Sequence, residues 1–235
     1  QELKKAIRKV ETILEKGDFE SYDLCEEYIR EAISIGEGDE GTVEVFHNLE
    51  DVLKEDYRHP IPTGIDGIDN LLNGGLAKGE LGVILAPTGV GKTTILTRFA
   101  NTAFNMGYNV LQIFFEDNPK IIQRKHFTCW TGIEPQKLSE NKEIVLSKAD
   151  EMKKNGGKLI LKKLASDEFT IAQIKNQIRK ITAEGITLDI VVLDYIDCVI
   201  PDRSYNDEWK GEGSVMRKFE GMCHELNLVG WTAAQ

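Results

Sequence analysis

The sequence contains few of the residues that build metal sites or disulfide frameworks. Its four cysteines, Cys25, Cys129, Cys198 and Cys223, lie far apart in the chain. The four histidines form no metal-ligand spacing with them. We therefore expect neither a structural zinc site nor a network of disulfide bonds.

Long apolar runs are also missing from the 235 residues. No stretch approaches the roughly 18 apolar residues of a membrane-spanning helix, and the first residues lack the basic-then-apolar layout of a signal peptide. Hydrophobic residues make up 41% of the chain and charged residues 29%, which excludes a disordered protein. We expect a soluble, cytoplasmic protein with a buried core and no contact with a membrane.

Positive charge is not in excess, because the formal net charge is −10. Residues 1–60 hold 8 Lys/Arg and 17 Asp/Glu, a net charge of −9, whereas residues 61–235 hold 21 and 22 and are close to neutral. A field of this sign argues against a protein that coats nucleic acid through its overall charge. A local basic surface for DNA remains open on the second part of the chain.

The first part of the chain has the apolar spacing of helices. Three helices are predicted, over residues 3–16, 18–35 and about 45–54. The segment His59–Gly64, with its two prolines, marks a boundary, so we divide the chain into an acidic helical segment, 1–57, and a domain over 58–235. The chain begins with Gln and ends on an apolar, strand-like segment, from which we expect a fragment trimmed at its C-terminus.

The second part alternates between short apolar runs and longer segments of helical period. The runs that predict strands are Leu81–Leu85, Asn109–Phe115, Leu159–Leu161, Ile190–Leu193 and Leu228–Thr232. The segments that predict helices are Thr93–Met106, Pro119–Cys129, Ile171–Glu184 and Ser214–Leu226. Continuous apolar strands that alternate with helices indicate an α/β fold whose mostly parallel sheet is covered on both faces.

A phosphate-binding P-loop is predicted between the first strand and the first helix of this domain. The motif reads Ala86-Pro87-Thr88-Gly89-Val90-Gly91-Lys92-Thr93-Thr94. Its glycines let backbone N–H groups turn toward an anion, and the helix N-terminus adds partial positive charge. Lys92 would reach the β- and γ-phosphates of a nucleotide, and the Thr93 hydroxyl would coordinate Mg²⁺. Ala86 replaces the usual first glycine, and another small residue suits that position.

Carboxylates follow two of the other predicted strands. The run Ile190–Leu193 ends in Asp194, the Walker B layout, which puts an acid beside the P-loop magnesium. Glu116 follows the next strand after the P-loop, and if that strand lies near the P-loop strand it could orient a water toward the γ-phosphate. A surface role for Glu116 and a catalytic role for its neighbour Asp117 remain open on spacing alone.

The lead-in to the P-loop resembles that of RecA-type ATPases of the DnaB, RadA and KaiC branches. The similar segments are Ile61–Asp66, Leu71–Leu76 and Gly79-Glu80-Leu81. Other features are most similar to DnaB-type replicative helicases, especially those of T-even-like phages. They are Phe114-Phe115-Glu116 followed by Arg124, Leu193-Asp194-Tyr195-Ile196, and Leu226-Asn227 leading into Trp231–Gln235.

The resemblance implies a role for each matching residue. Lys92 and Thr93 would bind the nucleotide phosphates and Mg²⁺, and Asp194 would be the magnesium-linked carboxylate. Glu116 becomes the hydrolytic base, and Gln235 would sense the γ-phosphate and relay its state to DNA-binding loops.

Three further segments acquire weaker expectations from the same resemblance. Arg124 matches a family arginine approximately in spacing. The helix Tyr22–Ile35 resembles a linker helix that packs on the neighbouring subunit, although it could be an ordinary core helix. Pro201–Gly213 stands where such proteins carry a DNA-facing loop, with Arg203 and Lys210 as the basic candidates; a solvated mobile loop is the alternative.

The function that the resemblance implies is the ATP-hydrolysing motor of a hexameric replicative helicase that moves on single-stranded DNA and unwinds forked duplex. Its cofactors would be ATP and Mg²⁺, and its partners would include primase and a helicase loader. An arginine finger and a second DNA loop would lie beyond Gln235, so this chain alone should be a weak ATPase. The rival is a RadA- or KaiC-like ATPase that acts in recombination or as a nucleotide-gated scaffold. A small-molecule P-loop kinase is a third class, disfavoured by the acidic region after Asp194.

Overall fold

The structure is a computed structural model that describes residues 2–16, 45–46, 50, 53, 58–155, 157–203, 205 and 207–235. The chain divides into two compact units, Gln1–Tyr57 and Arg58–Gln235. In the first unit, helix α1 spans Glu2–Lys16, as the apolar spacing predicts. The predicted helix over 18–35 and most of the one over 45–54 lie outside the described residues.

The second unit alternates helices and strands from the start of the P-loop region onward. Its helices are α2 (Asp66–Leu71), α3 (Lys92–Asn105), α4 (Pro119–Thr131), α5 (Lys142–Met152), α6 (Ile171–Ala183) and α7 (Glu208–Glu225). Its strands are β1 (Leu81–Leu85), β2 (Val110–Phe114), β3 (Leu159–Lys163), β4 (Ile190–Asp194) and β5 (Val229–Ala234). None of the described helices combines the length and apolar character needed to cross a bilayer.

The five strands form one parallel sheet in the order β1-β5-β4-β2-β3. Two strands therefore separate β2 from β1, and the expectation that β2 lies near the P-loop strand is wrong as regards pairing. Because all strands run in the same direction, their carboxyl ends still meet at one edge of the sheet. β4 is level with both neighbours there, since Asp194 pairs with Phe114 and Leu193 with Thr232.

The sheet has a hydrophobic core on each face. One core joins the sheet to α3 and is centred on Leu96, Phe99 and Trp231, with the Phe99 and Trp231 ring centroids 4.5 Å apart. The other joins it to α6 and α7, with Ile174 and Phe219 fully buried. This three-layer arrangement confirms the predicted α/β fold and explains why β2 and β4 are apolar at every position except Gln112 and the terminal Asp194.

The segment before β1 is tied together by a small number of polar contacts. Asp69 accepts hydrogen bonds from the backbone N–H and hydroxyl of Thr63, both at 2.7 Å, and these bonds help to hold its pKa below the ordinary value despite burial. Gly75 has φ +122°, and a Cβ there would lie 2.1 Å from the Ile61 carbonyl oxygen. Only glycine fits this close approach, which accounts for the Gly74-Gly75 pair in the lead-in.

Two elements differ from the sequence prediction. The segment Lys142–Met152 forms α5, which no pattern predicted. α7 begins at Glu208, six residues before the predicted start, so the expected loop over Pro201–Gly213 is wrong in its second half. Lys210 consequently lies in the first turn of a helix and forms an ion pair with Asp207.

Candidate active site

The P-loop turns between β1 and α3 with its backbone amides directed at one point. Gly89 and Gly91 have φ values of +82° and +103°, a conformation that side chains with a Cβ rarely adopt. Gly91 is the N-cap of α3 and has no side chain with which to cap the first turn. The first N–H groups of α3 are therefore available to an anion at the positive end of the helix dipole.

Lys92 opens α3 and is almost completely buried. Its Nζ donates a hydrogen bond of 2.9 Å to the Ala86 carbonyl oxygen at the start of the same loop. The ammonium group also lies 5.1 Å from the centre of the Tyr195 ring, within the range of a cation–π contact. Both contacts hold the cation inside the curve of the P-loop.

Thr93 and Asp194 meet across the gap between the P-loop and β4. The Thr93 hydroxyl donates to Asp194 Oδ1 at 3.2 Å. Burial raises the pKa of Asp194 to about 6, with the Thr93 hydrogen bond acting in the opposite direction. A divalent cation beside this buried carboxylate would stabilise its charged form.

A cavity of about 310 Å³ lies at the carboxyl edge of the sheet beside these residues. Its walls include the glycines and hydroxyls of the P-loop together with Lys92, Glu116, Asp194, Tyr195 and Gln235. Residues that follow β1, β2, β4 and β5 thus converge, although only sequence order linked them before. The predicted site residues of the P-loop, of Walker B and at positions 116 and 235 are brought together in one place.

The two carboxylates after β2 have different surroundings. Asp117 forms an ion pair of 2.8 Å with Lys125, which is also in the cavity wall. Glu116 accepts a hydrogen bond of 3.0 Å from the Tyr195 hydroxyl through Oε1. Asp117 is therefore neutralised by a cation, whereas Glu116 is held by a neutral donor.

Gln235 connects the P-loop with the segment after β4. Its Oε1 accepts a hydrogen bond of 2.9 Å from the Thr88 hydroxyl. Its backbone N–H donates to Asp197 Oδ2 at 3.1 Å, while burial raises the pKa of that carboxyl. Sequence reasoning missed Asp197, Lys125 and Tyr195 as site residues; position immediately after the Walker B acid was the available signal for Tyr195.

The weaker candidates lie outside this cavity. The Arg124 guanidinium donates to the Pro135 carbonyl oxygen, and Arg124 is not among the lining residues, whereas its neighbour Lys125 is. Arg203 Nε donates to the Tyr205 hydroxyl at 3.1 Å and stacks on that ring. Arg203 and Lys210 thus both have partners of their own, and their predicted contact with DNA stays a prediction.

The residues present fit a nucleotide with Mg²⁺. The described residues contain no group of three or more His, Cys, Asp or Glu that could hold a metal by themselves. Mg²⁺ typically takes one or two protein oxygens and completes its shell with water and phosphate oxygens, which suits the pair Thr93 and Asp194. The open amides of the P-loop and Lys92 suit the phosphates.

The chain is similar to known ATPases in sequence. The protein-family model described as "ATPase: KaiC" matches residues 61–210. The DNA repair protein RadA from two strains of Mycobacterium tuberculosis, CDC 1551 / Oshkosh and ATCC 25618 / H37Rv, is 30% identical over 87 residues in each case. That match covers 36% of this chain and 18% of each RadA protein, so the matched segment is about a fifth of their length.

Solved structures with the same fold include an isolated ATPase domain and a helicase. The ATPase domain superposes with a TM-score of 0.65 at 18% identity, over 79% of this chain and 67% of that one. The helicase, a DnaB-like replicative helicase described with its interactions with primase, gives a TM-score of 0.70 at 19% identity, over 99% and 56%. The predicted RecA-like fold is confirmed by this likeness.

Proposed function

Because the chain belongs to the KaiC family of ATPases, we propose that it is the ATP-hydrolysing motor core of a hexameric replicative DNA helicase. The observation that carries the proposal is the single cavity in which Lys92, Thr93 and Asp194 lie with Glu116 and Gln235. The motor would translocate on single-stranded DNA and unwind the duplex at a fork, in the cytoplasm.

The P-loop residues would bind and orient the triphosphate. Backbone amides from Gly89 to Thr93 would surround the phosphates, and Lys92 would exchange its bond to the Ala86 carbonyl for phosphate oxygens. Thr93 and Asp194 would hold Mg²⁺, which when bound offsets the negative charge that develops on the phosphates. These contacts would fix the γ-phosphate at the edge of the sheet where β2 ends.

Glu116 would act as the hydrolytic base. Its Oε1 is occupied by the Tyr195 hydroxyl, which leaves Oε2 to accept a proton from a water beside the γ-phosphate. The ion pair with Lys125 makes Asp117 the weaker candidate for this role. The two carboxylates that spacing could not rank therefore differ in their partners.

Gln235 would report the state of the nucleotide. In this structure its side chain is bonded to Thr88 of the P-loop and its backbone to Asp197. A γ-phosphate that displaced either contact would shift Gln235 and, through Asp197, the segment toward Arg203. Nucleotide state would thereby reach the region proposed to face DNA.

A second candidate function is supported by the RadA and KaiC matches. An ATPase of recombination, or a nucleotide-gated oligomeric scaffold, would use the same cavity without unwinding DNA. For the helicase proposal, the further partners are primase and a helicase loader. The DnaB-like helicase of similar fold was described with primase, which supports the first of these.

The proposal is tested by the ATPase rate of the natural full-length protein with and without single-stranded DNA, across a salt series. We expect a DNA-stimulated rate that declines with salt, because phosphate contacts release counterions. A forked-duplex assay then separates the helicase from a recombinase. The variant Lys92→Ala, which should lose nucleotide binding, is the control for contaminating ATPases. A rate that is unchanged by DNA would overturn the helicase proposal and favour the scaffold.

A further inference from the structure

Tyr195 contacts two residues of the proposed reaction without having a role in it so far. It directly follows Asp194, and its side chain forms part of the cavity wall. Its hydroxyl is bonded to Glu116, and its ring lies against Lys92. The inference that follows rests on the proposed function, because it concerns the base of that reaction.

The position of Tyr195 is set by the most buried part of the sheet. β4 is buried at all five positions, and Phe114 on β2 is level with Asp194. Tyr195 therefore leaves the sheet one residue after this level, and Glu116 leaves it two residues after on the neighbouring strand. The tyrosine starts from a rigid strand and reaches across to a residue in a turn.

Glu116 itself needs such support. It lies beyond the end of β2 and is exposed, so its side chain would otherwise sample several rotamers. Within the described part of the chain, the Tyr195 hydroxyl is the one hydrogen-bond donor to its carboxylate, at 3.0 Å from Oε1. A single bond of this kind favours one rotamer and leaves Oε2 for a water in the cavity.

We propose that Tyr195 is a positioning residue for hydrolysis, whose hydroxyl holds the Glu116 carboxylate in the orientation that activates water. The hydroxyl donates to Oε1, and Oε2 accepts the proton of the attacking water. Tyr195 does not touch the reacting atoms; it acts through Glu116. Loss of the hydroxyl lowers the fraction of time that the base is aligned, which reduces kcat and leaves nucleotide binding intact.

The structure offers a variant that separates the hydroxyl from the ring. Tyr195→Phe removes the bond to Glu116 and retains the ring beside Lys92, 5.1 Å from its Nζ. We expect kcat to fall about tenfold, with KM for ATP and the Kd of a fluorescent ATP analogue within about twofold of the wild type. Tyr108→Phe, at the amino-terminal edge of the sheet, is the matched control and should leave all three values unchanged.

A double-mutant cycle in the full-length protein then tests whether Tyr195 acts through Glu116. Glu116→Gln should lower kcat by about 10²-fold or more while it keeps nucleotide binding. In the Glu116→Gln background, Tyr195→Phe should have no further effect, because the aligned base is already absent. A purely structural role for the hydroxyl would lower kcat by the same factor in both backgrounds.

The outcomes separate this inference from the proposal beneath it. Full activity in Glu116→Gln would overturn the assignment of the base and the role of Tyr195 with it. Loss of activity in Glu116→Gln together with wild-type kcat in Tyr195→Phe would overturn the inference alone. Additive losses, or a change in the analogue's Kd that equals the loss in kcat, would also overturn it.

Discussion

His126 shows how a single buried residue makes stability depend on pH. Its ring is 2% exposed and lies between Gln112 and Asn101. Gln112 Oε1 can only accept, so His126 Nε2 donates to it at 2.9 Å; Asn101 Nδ2 can only donate, so Nδ1 accepts at 2.8 Å. This arrangement satisfies the neutral imidazole, and burial lowers the pKa of His126 to about 4.

We therefore predict that the protein loses stability as the pH falls from about 6.5 to about 4. In this window the unfolded chain binds a proton at His126 and the folded protein does not. The shift of roughly two to three pKa units corresponds to about 3 kcal/mol when the whole window is crossed. Urea unfolding at several pH values across this window and at neutral pH measures the free energy of unfolding.

The contribution of His126 is isolated by comparison with variants. His126→Gln should lower stability at neutral pH and have a flatter pH dependence, since it binds no proton in the unfolded state. His224→Gln, at an exposed position of α7, should retain the wild-type slope. A slope in His126→Gln as steep as that of the wild type would contradict the prediction.

At the scale of residues, the sequence predicted those parts of the site that belong to a motif. Lys92 and Thr93 are fixed by the P-loop spacing, and Asp194 by its place after an apolar strand. Tyr195, Lys125 and Asp197 could not be found in this way, because their roles depend on which strands are neighbours. Strand order is decided by packing across the whole sheet, and local spacing does not contain it.

Helices α3 and α6 begin in contrasting ways that match their positions. α3 has glycine at its N-cap and leaves its first amides open beside the cavity. α6 begins with a capping box, in which Gln173 N–H donates to Thr170 Oγ1 at 3.3 Å and Thr170 N–H donates to Gln173 Oε1 at 2.9 Å. The helix that lines the site is left uncapped, and the helix that supports the core is closed.

We predict that Thr170→Ala destabilises the protein by about 1 kcal/mol without changing nucleotide affinity, because it removes a cap that only α6 uses. Thr170→Ser should be close to the wild type, since serine keeps the hydroxyl. Urea unfolding and titration with a fluorescent ATP analogue measure the two quantities. A loss of affinity in Thr170→Ala would show that the cap of α6 and the nucleotide site are coupled.

At the scale of elements, the prediction succeeded where periodicity was strong. All five strands and helices α3, α4 and α6 lie within a few residues of their expected positions. α5 was missed because it has buried apolar residues only at Val145 and Met152 and a largely polar surface. The early start of α7 was missed because Gly211 and Gly213 disfavour a helix, and tertiary packing overrides that preference.

The whole molecule divides its charge between its two units. Residues 1–57 hold 7 basic and 17 acidic residues and carry the entire net charge of −10, so residues 58–235, with 22 of each, carry none. The ATPase unit is thus neutral overall, and the repulsion that opposes assembly is concentrated in the first unit. Association of the chain should depend on what that acidic unit contacts.

We predict that the full-length protein self-associates with Mg²⁺ and ATP and that removal of residues 1–57 weakens this association strongly. The reason is the proposed role of the acidic helical segment as the contact between neighbouring subunits. Sedimentation velocity measures the size distribution, and the affinity for the ATP analogue, which should be unchanged, controls for folding of the shortened protein. Equal association of the two proteins would contradict the prediction.

Strand β5 lies between β1 and β4 although it is the last of the five strands in the chain. During synthesis, β1 therefore waits for a partner while almost 150 further residues are made, since Thr88 and Gln235 are separated by 147 positions. Until β5 has left the ribosome, the nascent chain has a P-loop with no finished sheet beneath it. Nucleotide could help to stabilise the domain only at this last stage, and chaperones that protect exposed strands would act before it.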